Sequence, residues 1–268
     1  MSKSEKALTR ISTLRHKNPL FFTNAYAGTK DLIQILEHET TEVYENEHSV
    51  AVVFEDNGVR RLYLFAKSVE IAAGFVLPQN ENIIILEIIE QENNDNITGL
   101  FVSNGWQVYS RMVQMSYVLP DHTTFMADSH VEIAALSDTD SVYRLLYDTF
   151  DVNISHLPNK NQLSESIMNR ETLVIRDEDR VIAVAIFKVT GKKTKHFFQM
   201  AADPIHKGKR VPALEFIDFE FSRSCKGTVY SLWIVPDNPV IKFHKLVGFR
   251  ECGRYLSILS TGGSNIQL

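Results

Sequence analysis

The sequence predicts a mixed α/β fold built twice in tandem, and three observations carry that reading. Runs of strand length alternate with stretches whose apolar residues fall at helical spacing. A polar, turn-rich and aperiodic segment, Pro120–Ser129, interrupts the succession, and the pattern then begins again. The two halves also end alike. Gly105 is followed by Trp106 and then by Arg111, and Gly248 by Phe249 and then by Arg254 at the same spacing. Two tandem domains are therefore expected, over residues 1–122 and 123–268.

Taken in order, the N-terminal residues form a basic helix with a thin apolar stripe at Leu8, Ile11 and Leu14, read as a docked terminal helix rather than a targeting segment. Residues 30–38 carry Leu32, Ile35 and Leu36 at helical spacing. Strands are expected over Ser49–Glu55 and Arg60–Ala66, joined through Asn57-Gly58, a dipeptide suited to a two-residue hairpin turn. Val69–Leu77 reads as a short helix. Ile83–Ile89 is an isoleucine-rich run interrupted only by Glu87 and bounded by Asn- and Glu-rich loops, as in a buried strand. A short helix stops at Asn104-Gly105, and a long strand or strand pair runs from Trp106 to Leu119. After the interruption, His130–Leu136 alternates as a strand. Asp138 and Asp140 stand where helix caps belong, ahead of Val142–Phe150. A helix over 162–169 and strands over 172–176, 181–189 and 196–202 follow. Asp203-Pro204 ends the last of these, and Pro212 suits the first position of a helix, where its missing N–H is not needed.

Composition narrows the function classes. Apolar content of 44% and charged content of 23% are ordinary for a globular protein, and no apolar run is long enough to span a bilayer. A net charge of −5 gives no general reason to expect nucleic acid or membrane as partners. The two cysteines, Cys225 and Cys252, lack metal-ligand spacing and are too few for a disulfide framework, so a reducing cytoplasmic setting is expected and a metal is not. Nothing resembles a zinc-protease, serine-hydrolase or nucleotide-loop signature.

Against the acidic background, one basic turn stands out. Lys207, Gly208, Lys209 and Arg210 lie between a strand and a helix. Such a junction aims backbone N–H groups and the positive end of a helix dipole at an anion, and here three cations are added.

That turn, followed by Asn238-Pro239 and then Gly248-Phe249, resembles the GCN5-related N-acetyltransferases. The helix motif Asn-Pro-Ala-x-x-x-Tyr-x-x-x-Gly-Phe matches Asn238–Phe249 without a gap. The similarity is clearest from Ala201 to Phe249 and extends over residues 130–260. It implies two acyl-CoA N-acyltransferase-like domains, with acetyl-CoA as cosubstrate in the second and an amine, small molecule or peptide, as acceptor. The resemblance places the acyl arm along Met200, Ala201 and Ala202, the pyrophosphate at Lys207, Gly208, Lys209 and Arg210, and a cofactor contact at Asn238. Asn238 is equally well suited to capping the helix before Pro239. His244 takes the place of a tyrosine that protonates the departing thiolate, work imidazole can do. The loop over 149–161, with Asp151 and His156, and Asp148 at its edge are expected on the acceptor side. Two departures stand beside this: Arg210 and Pro212 occupy positions the family keeps small, which crowds the turn and removes one donor. The first half offers Lys67–Ala72 in place of a phosphate turn and Phe101 in place of the tyrosine, so it reads as a degenerate copy serving packing, cleft completion or dimerisation. The alternative for the whole chain is a non-catalytic module of the same fold with a decayed cofactor site.

Overall fold

The structure is a computed structural model describing residues 2–78, 82–92, 96–120, 130–205 and 212–261, and one order of elements occurs in it twice. The first half runs α1 (Lys3–Arg15), a two-residue strand β1 (Phe22–Thr23), α2 (Thr29–Glu37), β2 (Glu42–Glu45), β3 (Ser49–Asp56), β4 (Val59–Ala66), α3 (Val69–Ala73), β5 (Ile84–Gln91), α4 (Ile97–Ser103) and β6 (Trp106–Val118). The second runs β7 (Val131–Ile133), a 3-10 turn at Leu136–Asp138, α5 (Thr139–Thr149), α6 (Lys160–Met168), β8 (Thr172–Asp177), β9 (Arg180–Gly191), β10 (Thr194–Ala202), α7 (Pro212–Ser222), β11 (Val229–Ile234), α8 (Ile241–Val247) and β12 (Arg250–Thr261). The mixed α/β class and the tandem repeat are as the sequence led us to expect. The short strands β1 and β2 were not foreseen.

Local chemistry explains most boundaries. Asn57 and Gly58 both have positive φ (51° and 87°), the turn that matches strand twist in a hairpin. Ser2 and Glu5 close a capping box on α1, whose Ala7, Ile11 and Leu14 are buried. Pro212 is the first residue of α7, as expected. Gly248 ends α8 with φ 109°, and a Cβ there would lie 3.1 Å from the Tyr117 ring, so both backbone and space call for glycine. The long apolar run becomes β5, with Ile84, Ile85, Leu86 and Ile88 buried. The alternation over 130–136 yields only the three residues of β7, because Asp138 turns back to accept from the Ala135 N–H and starts a helical turn.

The chain divides into two compact units, Met1–Arg111 with Arg254–Leu268 and Met112–Gly253. The expected boundary between residues 122 and 123 falls in 121–129, outside the described residues. In unit 1 the sheet order is β2-β3-β4-β5-β12, the last contributed by Arg254–Ser260 paired antiparallel with Ile85–Gln91. In unit 2 it is β7-β8-β9-β10-β11-β6, where Val113–Val118 of β6 pairs with β11. Each half's sheet is thus completed by the final strand of the other half. Helices α1 and α2 bury Leu14, Leu32 and Leu36 against Val50, Val52 and Phe65 of unit 1. Helices α5 and α6 bury Val142, Leu146, Leu163 and Ile167 against Val184, Ile186 and Ala201 of unit 2.

Candidate functional site

In unit 2 the parallel neighbours β10 and β11 pair only over Thr194–Phe197 and Val229–Leu232. Beyond that point the two strands no longer pair. The separation coincides with a bulge in β10: the register against β9 shifts between Phe197 and Gln199, leaving Phe198 as the extra residue.

The backbone direction past the bulge follows from one hydrogen bond. The Asp203 N–H donates to the Ile182 carbonyl on β9 at 2.8 Å. Backbone groups along a strand alternate between its two edges, so those of Ala201 and Gln199 also face β9. The N–H and C=O groups of Met200 and Ala202 therefore face the opening left by β11. Ala201 itself is buried beneath α5 and α6, Met200 is half-buried and Ala202 is exposed. Of the three residues expected along an acyl arm, Met200 and Ala202 present backbone to the opening, and Ala201 serves the core.

Just below the fork, a polar row crosses the sheet face. Lys188 on β9, His196 on β10, Ser231 on β11 and Ser116 on β6 are successive register partners. His196 Nδ1 and Ser231 Oγ are 2.9 Å apart, and Cys252 Sγ donates to Ser116 Oγ at 3.1 Å. Burial, and secondarily the Lys188 cation, push the His196 pKa down to about 4, so its imidazole is neutral at pH 7. The Lys188 ammonium lies over the Phe198 ring, 3.9 Å from its centroid. Gln199, buried at the bulge, donates from Nε2 to the His156 carbonyl at 2.9 Å and so ties the α5–α6 loop to β10. That loop is the expected acceptor-side segment. Within it, Asp151 is engaged in its own turn, its Oδ1 accepting from the Asn153 N–H at 2.8 Å.

His244 and Asn238 lie beyond β11. The His244 side chain is buried, edge-on to Phe249 with centroids 5.4 Å apart, and its Nδ1 is buried without a hydrogen-bond partner. Burial pushes its pKa down to about 4. The side chain at the position expected to serve the departing thiolate is thus a neutral imidazole at pH 7, which can donate one N–H hydrogen bond. The Asn238 Oδ1 accepts from the Val240 N–H at 2.9 Å, so its side chain shapes the turn before α8. Phe249 belongs to an aromatic group with Tyr117, Phe197, Phe221 and Tyr230 that fixes α7 and α8 on the sheet. The expected pyrophosphate residues Lys207, Gly208, Lys209 and Arg210 lie outside the described residues.

A parallel strand pair that forks, with a bulge on its inner strand, is the observation that decides the fold of unit 2, and solved structures agree with it. No protein-family model matches the chain, and no curated protein is detectably similar to it in sequence. Among solved structures, a tandem GNAT protein from the clavulanic acid biosynthesis pathway aligns with a TM-score of 0.57 at 12% identity, over 99% of this chain and 96% of that one. A GCN5-related N-acetyltransferase from Kribbella flavida gives 0.54 at 12% identity, over 84% and 91%. One from Sphaerobacter thermophilus gives 0.54 at 10% identity, over 88% and 85%.

The fold is that of the tandem GCN5-related N-acetyltransferases. At these identities the likeness establishes architecture and leaves chemistry to the residues of this chain. Among the described residues, no helix is long and apolar enough to cross a membrane, and no cluster of three metal-ligating side chains occurs. Sequence reasoning placed residue 196 at the start of a strand and gave it no role. The partner that gives it a setting, Ser231, is distant in sequence and adjacent only once β10 and β11 pair in parallel.

Proposed function

We propose that the chain is an acyl-CoA-dependent N-acetyltransferase whose cosubstrate, acetyl-CoA, lies in the fork of unit 2. The observation that carries this is the edge of β10 past Phe197, where Met200 and Ala202 turn backbone donors and acceptors into the opening. The acyl arm of acetyl-CoA contains two amides and a thioester carbonyl. An extended chain of that kind satisfies a strand edge as another strand would, one hydrogen bond at a time. An N–H aimed at the thioester oxygen would also stabilise the negative charge that develops there during acyl transfer.

The reaction balances without a covalent enzyme intermediate. The nitrogen lone pair of a neutral amine attacks the thioester carbon, the C–S bond breaks, and CoA leaves as thiolate. One proton leaves the amine and one is taken up by the sulfur. His196 is our candidate for receiving the amine proton, being a neutral imidazole held by Ser231 at the root of the fork. His244 is our candidate for hydrogen bonding to the leaving sulfur. Lys207, Gly208, Lys209 and Arg210 would hold the pyrophosphate, and Asn238 would contact the cofactor arm. The acceptor is an amine on a small molecule or peptide, and the setting is cytoplasmic.

The test combines binding and turnover. Acetyl-CoA at about a hundred times its dissociation constant stabilises a folded protein by about 2.7 kcal/mol, a shift that thermal denaturation reads directly. Release of CoA thiol in the presence of a panel of amines then tests catalysis. We expect His196→Ala to lower kcat with KM for acetyl-CoA unchanged. No stabilisation by acetyl-CoA at millimolar concentration contradicts the proposal.

A further inference from the structure

The fork found in unit 2 occurs in unit 1 as well. There β4 and β5 are parallel and pair only at Arg60–Arg61 with Ile84–Ile85. The inner strand has the same polarity of edges. The Lys67 N–H donates to the His48 carbonyl beside β3, as the Asp203 N–H does to β9, so Leu62, Leu64 and Ala66 direct their backbone groups away from β3 and into the fork. Their counterparts in unit 2 include Met200 and Ala202.

In unit 1 that edge is occupied by the chain itself. Strand β1 pairs antiparallel with the end of β4, Phe22 opposite Ala66 and Thr23 opposite Phe65. Because β3 holds the other edge of β4 along its whole length, β1 lies on the side of the fork. Next to it, the carboxamide of Asn24 continues the ladder with a side chain. Its Nδ2 donates to the Leu62 carbonyl at 2.9 Å, and its Oδ1 accepts from the Leu64 N–H at 2.7 Å. Two residues on, the Tyr26 hydroxyl accepts from the Ile89 N–H of β5 at 3.0 Å, so the segment reaches both walls of the fork. Asn24 is 2% exposed, which makes the seal a buried one. The corresponding α5–α6 segment of unit 2 reaches β10 through the Gln199 side chain and the His156 carbonyl, and no strand of it pairs with β10.

From this we infer that residues 22–26 are a built-in occupant of the unit 1 fork, standing where an acyl-CoA arm would lie, so that each chain has one acyl-CoA site and it is in unit 2. The inference rests on the proposed function for its statement about unit 2 alone. The occupied fork in unit 1 stands on its own hydrogen bonds. It gives the first half a physical reason to lack a phosphate turn, since no ligand arm enters there. What the first half contributes to the open fork is the stretch Val113–Val118, which pairs with β11.

Residue-resolved amide exchange of the full chain without ligand tests the occupant directly. The Leu64 amide should be protected, and Asn24→Ala should speed its exchange by about tenfold or more, because the seal on that edge loses both side-chain bonds. Free exchange of Leu64 in the unaltered chain overturns the inference, and that measurement stands even if the variant fails to fold. Calorimetric titration with acetyl-CoA should then give one site per chain, with Leu64 still protected at saturation. Two sites, or a loss of protection at Leu64 on binding, overturn it. A chain that binds no acetyl-CoA but keeps Leu64 protected contradicts the proposed function and supports the occupied fork.

Discussion

Acidification separates a buried histidine from a working acid. His244 and His196 both have pKa values pushed down to about 4, from 6.5 in an unfolded chain. A group whose folded pKa is depressed holds fewer protons when folded. Stability is therefore unaffected well above pH 6.5 and is lost as the pH falls from there towards 4. At pH 5 the unfolded imidazole is almost wholly charged and the folded one almost wholly neutral. Linkage puts the loss at about 2 kcal/mol for each histidine, against about 0.2 kcal/mol at pH 7. The structural cause differs between the two. His244 is buried against Phe249 with no partner at Nδ1, whereas His196 has Ser231 beside it and Lys188 opposing its charge. Replacing His244 by phenylalanine removes the titrating group while filling the same space. Urea denaturation at pH 7 and pH 5 should show the variant losing about 2 kcal/mol less than the parent over that interval. Equal losses in the two proteins, or an imidazole of His244 titrating near 6.5 by NMR, would refute the reasoning.

Other expected outcomes follow from particular contacts. Ala202→Pro removes an N–H that faces the fork and leaves the ladder to β9 intact, so acetyl-CoA should bind about tenfold more weakly, the equivalent of one hydrogen bond, with little loss of thermal stability. Glu220 is fully buried between Lys195 and Arg223, and Glu220→Gln leaves both cations without their carboxylate. Denaturant unfolding should register a loss of about 3 kcal/mol. Gly248→Ala places a Cβ against Tyr117 at φ 109°, and should cost about 2 kcal/mol in the same assay. With His196 neutral down to about pH 4, loss of its proton-accepting form should appear in kcat only below pH 5, as a rate–pH profile would show.

Much of the architecture was legible because it is written in local periodicity. The hairpin at Asn57-Gly58, the buried run of β5, the helix stops at Gly105 and Gly248 and the start of α7 at Pro212 all depend on neighbours in sequence. The partition of strands between units was not legible. β6 and β12 look alike as strands, and a strand pattern does not name the strand it pairs with. The occupant of unit 1 escaped for a related reason: Phe22–Thr23 is too short to show a period, and Asn24 acts through a carboxamide that only the folded fork gives a purpose. On the site, the resemblance pointed to Met200–Ala202, and the structure supplies what it could not: these residues end β10, and the backbone groups of Met200 and Ala202 face the fork. Nor could the resemblance foresee that the residue at the tyrosine position, His244, is kept neutral by burial.

The central claim is that the open edge of β10 receives an acyl-CoA arm. Its most direct test is the exchange and chemical shift of the Met200 and Ala202 amides in the full chain, with and without saturating acetyl-CoA. Both amides should exchange freely without ligand and become protected with it, while the Ala201 amide, facing β9, stays protected throughout. Binding that leaves Met200 and Ala202 unchanged, or no binding at all, would contradict it.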